Sequence, residues 1–256
     1  MPLPLLVAPD EGEGEAISDT PSRELRILCE HDWLNVTWTR HAAGERGAEP
    51  HIHLRHVDAF YVLDGELTLQ VGPELGRVTA PAGTLVMMPP GVVHGFANDG
   101  PGDVRFLNFH APGCGFTDYL RGRSDFDQHP PPADGGRPAS DTLVVPPGGG
   151  ERFQREDRVN TILGELPEIS VFRLEVEAAW PGIGTHQHSD QVDMFFVLDG
   201  ESGFVVGDDV ARAGLGSFYA ALPEVRHGVP NDPGRRAVFL NVHAPDAGFA
   251  EGIRRQ

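Results

Sequence analysis

Short apolar runs of strand length recur along this chain between turn residues. AFYVL (59–63), LTLQV (67–71) and TLVMM (84–88) are rich in β-branched and aromatic side chains, and MFFVL, FVV and AVFLNV repeat the texture farther on. The 32 glycines and 23 prolines punctuate these runs, which favours tight turns over long helices. The pattern predicts an all-β chain. A helical period shows near FTDYLRGR (116–123).

The runs also repeat as a set. AFYVLDGE (59–66) returns as MFFVLDGE (194–201), and at the same offset His51, His53, Asp58 and Gly72 fall on His186, His188, Asp193 and Gly207. After a two-residue shortening the register resumes: His94 falls on His227, Asn98 on Asn231, and FLNFHAP (106–112) on FLNVHAP (239–245). Loops matched by chance do not hold register over two long stretches, so the chain is a tandem duplication. The expected organisation is an acidic lead-in at 1–20, a first repeat at 21–122, a Pro/Gly-rich linker at 123–145, and a second repeat at 146–256.

Composition narrows the chemistry. All 20 basic residues are arginine, so Schiff-base lysine chemistry is excluded. A formal net charge of −18 disfavours nucleic acid and anionic membrane surfaces as partners. Cys29 and Cys114 are too few for a disulfide framework or a thiolate cluster and suit a reducing compartment. MPLPLLVAPDEGEGE has no basic residue ahead of its apolar run and does not read as a secretory signal. No apolar run reaches the roughly 20 residues a bilayer helix needs. A cytoplasmic location is the expectation.

The polar residues of HIHLRHVDAFYVLDG (51–65) carry the candidate chemistry. On an extended strand, side chains two apart share a face, so His51 and His53 point one way. Asp58, Phe60 and Val62 do the same after a change of phase within 54–57. His94 follows a strand and a Pro-Pro-Gly turn, and closing a small barrel would bring it inward beside the others. Three imidazoles and a carboxylate suit a first-row divalent ion and not calcium. His186, His188, Asp193 and His227 repeat the set. Phe60, Val62, Phe195 and Val197 share the carboxylates' face and are expected to wall the site with apolar surface. His110 and His243, with Asn108 and Asn241, recur between the repeats and are expected at the barrel mouth. His56 has Gln191 as its counterpart and is expected at the surface or a pocket rim. His31, His41 and His129 follow no pattern and are expected in solvent. Asn98 and Asn231 are expected to shape turns.

These residues carry a family resemblance. The chain resembles the cupin superfamily, and its duplication resembles a bicupin. His51-Ile-His53, four residues, Asp58, six residues, Gly65 matches the family's first motif, and Gly83, Pro89, Gly91, His94 and Asn98 match the second. His186, His188, Asp193 and Gly200, then Pro223, His227 and Asn231, repeat both. Three features depart from the pattern. Aspartate stands where glutamate is usual, the glycine ahead of His-x-His is displaced to Gly47 and Gly182, and Glu224 replaces Gly91, which predicts a reshaped second turn. The resemblance implies two tandem cupin-type barrels of the double-stranded β-helix or jelly-roll kind. It implies one divalent metal per barrel, with Fe(II) the first expectation and Mn, Ni, Zn or Co alternatives.

Four protein ligands on an octahedral ion leave two positions for water, substrate or dioxygen. The leading expectation is a quercetinase-like dioxygenase acting on a small organic substrate with O2. A metal-dependent isomerase or aminohydrolase is the enzymatic alternative, and a non-catalytic binding cupin the other. The resemblance also suggests homodimers.

Overall fold

A computed structural model describes residues 4–8, 12–231 and 235–255. The described part of the lead-in opens with β1 (Leu5–Val7). Then follow β2 (Glu15–Asp19), β3 (Arg23–His31), β4 (Leu34–His41), β5 (Val57–Asp64), β6 (Glu66–Val71), β7 (Gly76–Pro81), β8 (Leu85–Met88), β9 (His94–Ala97) and β10 (Val104–Ala111). Helix α1 (Phe116–Leu120) and β11 (Leu143–Val145) precede the second series. That series is β12 (Glu151–Gln154), β13 (Arg158–Leu166), β14 (Ile169–Val176), β15 (Gly182–His186), β16 (Val192–Val206), β17 (Asp209–Gly214), β18 (Phe218–Ala221), β19 (His227–Pro230), β20 (Ala237–Ala244) and helix α2 (Phe249–Arg254). The all-β expectation holds, and each repeat is a jelly-roll barrel.

In the first barrel a seven-stranded sheet runs β11-β8-β5-β10-β4-β3-β2 and faces a three-stranded sheet, β7-β6-β9. β4, β5 and β10 are central strands and are buried along nearly their whole length. Their register fixes which side chains meet inside. His110 lies opposite Asp58 on one side and Asn35 on the other, Asn108 opposite Phe60 and Thr37, and Phe106 opposite Val62 and Thr39. The second barrel repeats this: His243 lies opposite Asp193 and Ser170, Asn241 opposite Phe195 and Phe172. Its metal-side sheets are β1-β18-β16-β20-β14-β13-β12, with β17 on β16, and the pair β15-β19.

Chain contacts group residues Glu15–Gly149 into one unit and Met1–Gly14 with Gly150–Gln256 into the other. The segments read as lead-in and linker therefore belong to the barrels. β2 pairs with β3 in the first barrel and β1 with β18 in the second. β11, inside the Pro/Gly-rich stretch, pairs with β8 as a further strand of the first barrel. An edge strand leaves a row of unpaired backbone groups, and these short strands satisfy it. Residues 1–3 and 9–11 of the lead-in lie outside the described residues. Among the described residues, no helix is long and apolar enough to cross a membrane.

Phe60 and Val62 sit in the core of the first barrel with Leu67, Leu69, Val71 and Phe106. Phe195 and Val197 sit in that of the second with Phe204, Tyr219 and Phe239. They face inward as expected, but in the first barrel Leu67, Leu69 and Val71 from the opposite sheet close over Phe60 and Val62. They are core side chains and not cavity wall.

Candidate metal centres

In the first barrel, His51, His53, Asp58 and His94 bring one ligand atom each within 4.8 Å of the others, and all four residues are buried. The Nδ1 of His51 donates to the carbonyl of Glu49 at 2.7 Å and that of His94 to Val92 at 2.9 Å. The Nδ1 of His53 donates to the carbonyl of Asp127. These acceptors fix the tautomer, so each Nε2 presents a lone pair. The Nε2 atoms of His51 and His53 then stand 3.2 Å apart. Two lone pairs face each other there, an arrangement that repels unless a cation lies between them. Asp58 Oδ2 completes the ring, 3.1 Å from His94 Nε2 and 3.7 Å from His53 Nε2. The donors present fit a divalent transition ion, with outer hydrogen bonds of the kind that orient metal-binding imidazoles.

Asp58 is held ionised. Burial raises its pKa, but His110, His53 and His94 around it outweigh burial and hold it well below the usual carboxylate range. Burial pushes His51 down to about 4, with His94 adding to the effect. At neutral pH the site therefore holds an ionised carboxylate together with an uncharged His51.

The second set, His186, His188, Asp193 and His227, clusters in the same way. The Nε2 atoms of His186 and His188 stand 3.2 Å apart, and His227 Nε2 lies 3.2 Å from Asp193 Oδ2. His186 and His227 donate Nδ1–H to Gly184 and Val225. Burial raises the Asp193 pKa, yet His243 and His227 hold it down to about 2. This site is more open: the side chain of His188 is 24% exposed against 2% for His53. The second turn keeps its shape despite Glu224. Glu224 adopts φ 64°, as Gly91 adopts 86°, and its N–H donates to His188 as that of Gly91 does to His53. A non-glycine residue takes on left-handed strain there to preserve the histidine-binding turn.

Behind the carboxylates the barrels diverge. Asn108 donates to Asp58 Oδ1 and to the carbonyl of Ala59, so its Oδ1 accepts from His110 Nε2 at 2.9 Å. Asn241 and His243 repeat this behind Asp193. In the first barrel the chain continues: His110 Nδ1 meets His56 Nε2 at 3.0 Å, and His56 Nδ1 meets Asp127 Oδ2 at 3.1 Å. Asp127 Oδ1 accepts from His129 Nε2 at 2.9 Å, and its Oδ2 from the N–H groups of Leu54 and Arg55. His56, expected at the surface, is fully buried. It turns inward because Asp127 supplies an acceptor. His129 is 44% exposed on its side chain and ends the chain at solvent. His243 Nδ1, by contrast, is buried with no partner.

His110 lines the first cavity and packs on Phe116 at 3.7 Å, and His243 stacks on Phe249 at the same distance. Asn98 bonds the carbonyls of His41 and Gly102 and accepts from Gly100, shaping its turn. His31 is half-buried, while His41, expected in solvent, is 2% exposed and packs against Phe96 and Phe106. Sequence reading missed Asp127, which lies in a Pro-rich stretch with no periodic signal. It missed His41 because a lone histidine near a strand end reads as exposed.

A cavity of about 290 Å³ opens onto His51, His53 and Asp58 in the first barrel. Its walls include Phe96, Phe106, Phe116, Tyr119 and Phe126, and its far part Arg23, Thr37, Thr39 and His41. The sequence of residues 38–110 matches the family model described as Cupin domain. The second repeat brings the equivalent residues His186, His188, Asp193 and His227 together.

The fold is that of two tandem cupin-type barrels, and residues 38–110 match the cupin domain in sequence. Solved structures agree with that fold. Protein Ylba from E. coli aligns at a TM-score of 0.67 and 13% identity, covering 93% of this chain and 89% of that chain. The cupin 2 conserved barrel domain protein from Leptotrichia buccalis aligns at 0.62 and 11%, covering 95% and 98%. A variant of oxalate decarboxylase from B. subtilis aligns at 0.61 and 14%, covering 94% and 77%. At these identities the likeness concerns fold. No curated protein matches the sequence of this chain.

Proposed function

We propose that this bicupin is a metal-dependent enzyme whose first barrel acts on a small organic molecule, as a dioxygenase. The observation that carries the reading is the cavity at the first site, with three metal-side residues at one end and aromatic rings along its walls. A redox-active divalent ion held by His51, His53, Asp58 and His94 would supply Lewis acidity and electrons for reaction with dioxygen.

The chain's own residues do the rest. Phe96, Phe106 and Phe126 offer ring faces to a planar substrate and exclude bulk water. Asn108 fixes the rotamer of Asp58, leaving one oxygen aimed at the ion position. Asp127 orients His53 through its carbonyl while its carboxylate pins the 54–55 backbone. The lining disfavours a small dianion such as oxalate, because Arg23 is already matched by Glu45 at 2.7 Å. The unpaired thiols of Cys29 and Cys114 support the reducing, cytoplasmic setting.

The test is oxygen uptake by protein loaded anaerobically with Fe(II), in parallel with Mn, Ni and Co, against a panel of catechols and enols. Uptake that requires both metal and substrate is expected, and is lost in His53→Ala. Full metal loading with no uptake across the panel overturns the dioxygenase reading.

A further inference from the structure

The two barrels differ at the end of the cavity away from the metal ligands. In the first, β4 points Thr37, Thr39 and His41 inward from alternate positions, and β3 sets Arg23 beside His41. The same register in the second barrel carries Phe172, Leu174 and Val176. Those three are buried, and Leu174 and Val176 join the core cluster. Arg23 keeps a counterpart in Arg158, which pairs with Asp157 at 3.0 Å. What the first barrel has and the second lacks is therefore a set of small or neutral polar side chains where an apolar filling is structurally acceptable.

These groups are unsatisfied. Thr37 Oγ1, His41 Nδ1 and Arg23 Nε are buried with no hydrogen-bond partner, and all three residues line the cavity. Thr37 is 0% and His41 2% exposed. A buried polar atom without a partner is destabilising, so three together call for a partner from outside the chain. Arg23 is neutralised by Glu45, which leaves no spare positive charge. Burial, with Arg23 adding to it, pushes His41 down to about 4, so at neutral pH it offers one N–H and one lone pair. A hydroxyl such as that of Thr37 also both donates and accepts. The matching ligand group is an uncharged oxygen that can do both.

We infer that Arg23, Thr37 and His41 form a second recognition pole, which selects substrates bearing a hydroxyl at the end opposite the metal-binding oxygens. The inference rests on the reading of the first barrel as the substrate site and names its substrate class. That class is a compact aromatic molecule that chelates at one end, lies against the cavity walls that include Phe96 and Phe106, and carries a hydroxyl at the other. Thr37, Thr39 and His41 are positions that set specificity, and none of them touches the ion site.

The test uses the full chain loaded with zinc, which binds the ligand set without redox turnover. Calorimetric titration follows a series of catechols with hydroxyalkyl tails of increasing length, each beside the isostere in which methyl replaces the hydroxyl. For the tail that spans the cavity, wild type is expected to prefer the hydroxyl compound about tenfold. Thr37→Val should erase the preference and Thr37→Ser should restore it. If every pair binds alike in wild type, or Thr37→Val keeps the preference, the pole is wrong while the substrate-site reading stands. If no catechol binds although zinc is fully held, both fall together.

Discussion

His51 Nε2 and His53 Nε2 stand 3.2 Å apart while the opposite nitrogen of each ring donates to a backbone carbonyl. Two acceptors at that distance define a cation position. His186 and His188 reproduce the separation in the second barrel. The native chain is accordingly expected to carry two divalent ions. Elemental analysis should fall to one ion per chain in His51→Ala or His186→Ala, and to none in the double variant. Unchanged metal content would remove the basis of the site.

Exposure separates the two centres. His188 is 24% exposed on its side chain and His53 2%, and Asp127 covers the first site alone. A chelator should strip the ions in two phases, the faster one from the second barrel. His186→Ala should abolish that fast phase and leave the slow one.

Asn108 donates a hydrogen bond to Asp58 Oδ1 and accepts one from His110 Nε2. Asn108→Leu removes both partnerships from buried groups. Metal affinity of the first barrel should drop by about 10–100-fold, with the second site unchanged. Competition against a fluorescent chelator measures it. Equal affinity would show that Asp58 needs no such support.

Thr37 and Phe172 occupy equivalent positions with opposite consequences. Thr37→Val removes an unpartnered buried hydroxyl at constant volume, so the ligand-free chain should gain about 1 kcal/mol. Phe172→Ala opens the second core and should cost about 3–5 kcal/mol. Thermal melts of the two variants should move in opposite directions.

His41 links stability to pH. Its folded pKa is pushed down to about 4 by burial and by Arg23, below the ordinary value of 6.5. The unfolded chain then binds a proton between these values that the folded chain refuses. The stability tied to neutral His41 is complete above pH 6.5 and disappears as pH falls to about 4, with a span of about 3 kcal/mol. His41→Val should flatten that part of the acid limb. An identical acid limb in the variant would place the titration elsewhere.

Much of this was legible in the sequence because strands have a period of two and the chain is duplicated. His51 with His53, and Asp58 ahead of an apolar run, could only share a face, and their recurrence at His186, His188 and Asp193 marked them as a set. His94 and His227 were found the same way, across a turn rich in proline.

Contacts that cross between segments left no such trace. Asp127 meets His53 and His56 from a Pro-rich stretch more than 70 residues away, and nothing in its neighbours encodes that meeting. His56 read as a surface residue because its burial depends on that same aspartate. Phe60 and Val62 faced the right way, but whether an inward side chain meets a cavity or a core depends on what the opposite sheet brings over it. The chain's own pattern thus determined the barrels, their duplication and the candidate ligand residues, because these follow from local periodicity. Packing between distant segments decided that a cavity opens beside the first site and which groups stand behind each carboxylate, because depth and contact are properties of the folded whole.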